Sequence, residues 1–219
     1  MSISVDSGTE ALRQPLTGAR APAAELLVLA AFFFSGVSAL TYQVTWQRLL
    51  YAQFGVDLQS ITIIVSCFML GLGVGSLVGG WLADRFQAKA LRTFGLVELA
   101  IGLFGIVSPW VIATVGDRFA LVGPIALAIA SFAILLIPTL LMGATLPLLV
   151  GHFYARYQSI GVTVGTLYFV NTLGAAAGAY ATGLFAFNFL TLDGAIHVAV
   201  AVNFVVAASA LVAWRMSSR

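Results

Sequence analysis

The segment Ile61 to Ala83 reads ITIIVSCFMLGLGVGSLVGGWLA and carries no charged residue. A hydrocarbon layer about 30 Å thick needs roughly 20 helical residues to cross it, so this one stretch suffices for a span. Five further segments have the same character: Leu26 to Leu49, Leu91 to Ala113, Leu121 to Val150, Ile160 to Phe187 and Gly194 to Trp214. The expected fold is therefore all-α, a polytopic membrane protein of six transmembrane helices. Strands are disfavoured because the apolar runs are continuous rather than alternating, and a helix satisfies its own backbone hydrogen bonds in lipid.

Composition excludes the main alternatives. Of 219 residues, 61% are hydrophobic and only 8% are charged, where a soluble domain has about 25% charged residues. The net charge of +2 supplies no basic patch for nucleic acid. Cys67 is the single cysteine, expected to pack as a small hydrophobe, and His152 and His197 stand far apart, so neither a disulfide nor a metal site is expected. No nucleophile-base pair or cofactor loop is visible either, so we expect no catalytic residues, no cofactor and no enzyme activity.

Residues 1–24 read as a flexible cytoplasmic N-terminal tail, residues 25–214 as the transmembrane domain and residues 215–219 as a short cytoplasmic C-terminal tail. The tail lacks a removable secretory signal. With alternate loops on alternate sides, one side collects Arg13, Arg20, Arg85, Lys89, Arg92, Arg156, Arg215 and Arg219, and the other holds Arg118 with Arg48 near its boundary. That asymmetry predicts both termini in the cytoplasm, and the expected location is a cell membrane of the inner-membrane type. Tyr51 to Ser60, Thr114 to Ala120 and Asn188 to Asp193 become outward loops.

Small residues mark where helices can approach. Gly71, Gly75 and Gly79 recur every fourth residue on span two, and Gly174 with Gly178 does so on span five, with Gly161 and Gly165 earlier in that span. Such spacing leaves a groove for another helix, and close van der Waals contact drives pairing in lipid. Lining of a substrate groove is the other reading. Pro138 and Pro147 flank Met142 to Thr145 on span four, and each removes an amide donor. Either they bend the helix statically or they break it and expose carbonyls to a ligand. Gly183 and Asn188 lie where span five could loosen.

Polar groups within the spans are the candidates for function. Glu98 must face protein or water, either as a structural hydrogen-bonding group or as a proton-coupling carboxylate, with Asn171, Arg92 or Arg156 as expected partners. Asn171 and Asn203 need partners of their own, between helices or on a solute. Tyr42, Gln43, Trp46, Gln47 and Arg48 interrupt the end of span one: aromatic anchoring at the membrane boundary is one reading, and closure of a pathway by Gln43 and Arg48 is the other. Trp81, Trp110 and Trp214 fit the boundary reading. Asp84, Arg85, Lys89 and Arg92 after span two could tie neighbouring helix ends by ion pairs or form a plain charged turn.

The run Phe34 to Leu50, FSGVSALTYQVTWQRLL, resembles the membrane portion of fused major-facilitator/spermidine-synthase-like proteins, and the resemblance extends to Gly71 to Arg85 and Met142 to Pro147. It implies half of a major facilitator fold, with Gly80, Asp84 and Arg85, joined by Arg92, as a cytoplasmic latch between alternating-access states. It also implies a missing soluble synthase domain, since the chain stops soon after span six, and a second six-helix half supplied by a second copy or by another membrane subunit. The resulting expectation is a transporter-like subunit for a small polar solute, acting as an oligomer in the lipid bilayer without nucleic acid. The alternative is a noncatalytic scaffold or accessory subunit docking through spans two and five.

Overall fold

The computed structural model describes residues 21–55, 57–119, 121–157 and 159–217. Six long helices account for nearly all of them: α1 (Ala21–Phe54), α2 (Asp57–Arg85), α3 (Ala90–Phe119), α4 (Pro124–Tyr157), α5 (Ile160–Ala181) and α6 (Leu192–Ser217). A 3-10 turn, Gln87–Lys89, precedes α3, and α5 continues through a π-helical turn, Thr182–Ala186, into the short turn Phe187–Phe189. All six are long and apolar enough to cross a membrane, and the described residues contain no strand.

The helices outrun the spans expected from hydropathy. Tyr51 to Phe54 and Thr114 to Phe119, expected as loop, are helical, and so are Ala21 to Ala24 of the expected tail. A backbone leaving hydrocarbon still needs its hydrogen bonds, so helix persists until a residue stops it. Gly55 stops α1: its left-handed φ of 67° lets its amide donate to the Tyr51 carbonyl at 2.8 Å. Arg13, Arg20 and Arg219, and the side chain of Arg156, lie outside the described residues, as does most of the expected N-terminal tail.

Helix pairing obeys a simple rule. α2 packs on α4, α5 on α1, and α3 on α6, while α6 also meets α1 and α3 meets α4. Exchanging α1, α2 and α3 with α4, α5 and α6 converts α2–α4 into α5–α1 and α1–α6 into α4–α3, and leaves α3–α6 as it is. Successive spans alternate in direction, so the two triplets have the relation of an inverted repeat, an arrangement common among transporters.

Close approaches between helices are made by the glycine stripes. On α2, a Cβ added to Gly71 would strike Thr139, one at Gly75 would strike the Leu140 carbonyl, and one at Gly79 would meet Ala144 at 2.6 Å. On the symmetry-related pair, a Cβ on Gly174 or Gly178 of α5 would strike the carbonyl of Phe33 or Val37 on α1. Both stripes are thus filled within the chain. Gly73, Gly161 and Gly165 face open space.

α4 runs unbroken through Pro138 and Pro147, so the opened backbone considered for this helix is absent; α3 likewise contains Pro109. Two adjoining hydroxyls on α4 bond to their own backbone, Thr139 to the Leu135 carbonyl at 3.0 Å and Thr145 to that of Met142 at 2.7 Å.

Substitution separates a crowded glycine from a free one. Gly75→Leu should destabilise the detergent-purified protein by on the order of 3 kcal/mol or more, because the obstacle is backbone that cannot move aside. Gly73→Leu on the same helix should melt with the parent. Equal thermal unfolding of the two variants would show that α2 and α4 do not meet here.

Candidate functional site

α1 buries its polar residues. Ser35, Ser38, Thr41, Tyr42, Thr45 and Trp46 recur at three- and four-residue intervals, and all are buried. The hydroxyls of Ser38, Thr41 and Thr45 donate to carbonyls three or four residues back, at 2.9, 2.9 and 2.7 Å, which lets a polar stripe survive inside an apolar bundle. Tyr42 and Trp46 stack at 4.9 Å between ring centres, and Trp46 Nε1 donates to Ser108 Oγ on α3 at 2.9 Å. Both rings are 0% exposed, so the expected anchoring at the membrane boundary is corrected: they form the α1–α3 contact instead. Trp81 and Trp110, by contrast, are exposed.

Glu98 lies on α3 at the centre of this region and is wholly buried. Its Oε1 accepts from Ser35 Oγ of α1 at 2.5 Å, and its Oε2 accepts from Asn203 Nδ2 of α6 at 2.6 Å. The carboxylate thus ties three helices together. Of the expected partners, neither Asn171 nor Arg92 is used, and the Arg156 side chain lies outside the described residues. Asn171 donates instead to the Phe32 carbonyl at 3.1 Å, and Arg92 places its guanidinium 5.5 Å from the centre of the Trp214 ring. Hydroxyl and amide donors substitute for a counter-ion here.

Beside Glu98 is a cavity of about 370 Å³ to which all six helices contribute. Its polar lining includes Ser35, Ser38, Gln43, Thr145, Asn171 and Asn203, and its apolar lining includes Phe68, Met69, Leu72, Ile101 and Met142. Gln43, Asn171 and Asn203 are therefore brought together, and Glu98 stands one layer behind, bonded to two lining residues. Arg48 is not part of this group. It lies towards the end of α1 in a separate pocket of about 690 Å³ with Gln47, Tyr51 and Leu190, its guanidinium 4.3 Å from the centre of the Phe187 ring. The reason is the position of Arg48 on α1, one turn beyond Gln43 and past the cavity.

The charged turn forms no ion pair among the described residues between Asp84, Arg85 and Arg92. Asp84 and Arg85 are exposed, Gly80 has open space around it, and Arg92 is engaged with Trp214. No group of three or more potential metal ligands occurs among the described residues.

Sequence reasoning passed over Ser35, Ser108 and the Thr182–Thr41 hydroxyl contact at 3.0 Å, which joins the π turn to α1. The available signal was the helical spacing of Ser35, Ser38, Thr41 and Thr45.

Three curated proteins are similar to parts of this chain. A triacylglyceride transporter of Mycolicibacterium smegmatis is 29% identical over 93 residues, 42% of this chain and 16% of that protein. One of Mycobacteroides abscessus is 28% identical over 82 residues, 37% of this chain and 16% of the relative. One of Mycolicibacterium hassiacum is 34% identical over 56 residues, 26% of this chain and 10% of the relative. The aligned segments thus span about a sixth or less of each relative's length. No family model and no solved structure matches. None of the three is named for a spermidine synthase, so that part of the resemblance finds no support. With six helices long and apolar enough to cross a membrane, the chain is a multi-pass membrane protein, and parts of it are similar to proteins named as triacylglyceride transporters.

The Glu98 junction makes a prediction that a general packing role does not. Ser35→Ala should cost about 1.5–3 kcal/mol of stability, as expected for a hydrogen bond to a charged group. In a Glu98→Leu background the same change should cost much less, because the bond it removes is already gone. Equal costs in both backgrounds, read from denaturant unfolding of the purified protein, would break the proposed link between the two residues.

Proposed function

We propose that this chain forms one wall of a membrane transport pathway and that its solute is amphipathic. The carrying observation is the central cavity, where side-chain amides and hydroxyls share the lining with methionine, leucine and phenylalanine. A small polar solute would leave those apolar walls uncovered, whereas a molecule with one polar end and one apolar end matches both. The relatives' name, triacylglyceride transporter, supports an acyl-bearing solute in the same direction.

The cavity needs a second wall. Tyr168 and Thr172 of α5 and Met69 of α2 line it and are exposed. Polar groups facing hydrocarbon there would be costly, and a second copy or another membrane subunit would cover them. An inverted triplet pair on one side and a companion on the other gives two bodies that can rock about a shared site. Both termini lie in the cytoplasm under this reading, as the arginine asymmetry favours. Glu98 holds α1, α3 and α6 as one unit, and Gln43, Asn171 and Asn203 orient the solute.

The native assembly, purified from membranes and reconstituted into vesicles, should move a fluorescent acyl amphiphile across the bilayer. Ala39→Trp, which places a large ring in the cavity, should abolish most of that flux without changing assembly mass or melting temperature. Undiminished flux through the Ala39→Trp protein would refute the pathway.

A further inference from the structure

Which end of a hydrogen bond the cavity offers is settled by where its donors go. Ser35 gives its hydroxyl proton to Glu98, Ser38 to the Ser35 carbonyl, and Thr145 to the Met142 carbonyl. Asn171 gives an amide proton to the Phe32 carbonyl, and Asn203 gives one to Glu98. Each of these five lining residues directs a donor into the protein.

Acceptors remain. A hydroxyl that donates keeps its lone pairs, and a carboxamide that donates through nitrogen keeps its carbonyl oxygen. Asn203 is the clearest case. A carboxylate only accepts, so the 2.6 Å contact with Glu98 fixes Nδ2 on that side and turns Oδ1 away from it. Asn203 lines the cavity and is 1% exposed, and its buried Oδ1 accepts from no group among the described residues. An unmet buried acceptor costs free energy until a donor reaches it.

Charge points the same way. Among the described residues, the lining contains no lysine, arginine or histidine. The Glu98 carboxyl on α3 is bonded to two residues of the inner wall; α6 contributes the neutral Asn203 to the lining, and Arg48 belongs to the other pocket. A negatively charged head group would find no counter-ion in this lining, and its donors would be limited to the second amide protons of Asn171 and Asn203, the amide of Gln43, and the hydroxyls of Tyr168 and Thr172 at the exposed rim.

We infer that the cavity selects a head group that donates hydrogen bonds and bears no negative charge, a hydroxyl or a primary ammonium on an apolar tail. This rests on the proposed amphipathic solute and adds the polarity of its head. Asn203 Oδ1 accepts from that head, Ser35 and Ser38 offer further lone pairs, and the tail lies against Met69, Leu72 and Met142.

Three probes of one chain length test it: octylammonium, octanol and octanoate. With Cys67→Ala as background, Thr172→Cys places a thiol at the cavity rim, and its rate of maleimide labelling is measured in neutral phosphatidylcholine nanodiscs holding the full chain. Octylammonium and octanol should slow labelling at concentrations at least about tenfold lower than octanoate requires, the ratio expected when one head gains a hydrogen bond and the other meets repulsion. Glu98→Gln, which removes the charge and replaces one of the two acceptor oxygens with an amide donor, should narrow the gap between octylammonium and octanoate. Equal protection by all three probes, or a gap that Glu98→Gln leaves untouched, would overturn the selectivity while leaving an amphipathic site in place. Protection by none of them would overturn the selectivity and the amphipathic site together.

Discussion

A helix in hydrocarbon gains nothing by moving leucine from lipid to protein, so the bundle must be held by contact close enough to count atom by atom. The two glycine stripes supply that contact. Gly71, Gly75 and Gly79 bring α2 onto the backbone of α4, and Gly174 with Gly178 brings α5 onto α1. Because these pairs join the first triplet of helices to the second, the triplets interlock rather than lie side by side. The remaining contacts of α3 and α6 close the back of the bundle and place Glu98 between α1 and α6. The cavity is the space left where six helices meet with two pairs drawn tight.

Glu98 shows how a carboxyl is accommodated in such a place without a base. Burying an unpaired charge is expensive, and a paired one needs every lone pair considered. Here each oxygen accepts one strong donor, and both donors come from residues that also line the cavity. The same two bonds that satisfy Glu98 therefore decide what Ser35 and Asn203 can offer on their other side. Structural need and recognition chemistry are coupled through two side chains.

The spans and their helical nature were legible from Ile61 to Ala83 and its five counterparts, because water would not tolerate uncharged apolar runs of such length on a protein surface. The need of Glu98, Asn171 and Asn203 for partners was also legible from burial cost alone. Which partners they take was not. In a soluble helix the apolar stripe marks the inward face, but here both faces are apolar, and Leu77 on the outside reads like Leu135 on the inside. That ambiguity explains why Tyr42 and Trp46 read as boundary aromatics while they are core, and why Arg48 was grouped with Gln43. Hydroxyl residues at helical intervals carry the orientation that hydrophobicity cannot, and on α1 they point to the right face.

The π turn at Thr182–Ala186 changes the direction in which the end of α5 presents its side chains. A π turn accommodates an extra residue without ending the helix. Below it, α5 presents Gly174 and Gly178 to α1, and Thr182 holds the last of that alignment through Thr41. Above it, the angular phase is reset, and Phe187 comes round to lie under Arg48 on the same neighbour. One helix thereby shows a smooth edge and an aromatic edge to a single partner, two requirements that an unbroken 3.6-residue winding would have set at conflicting azimuths.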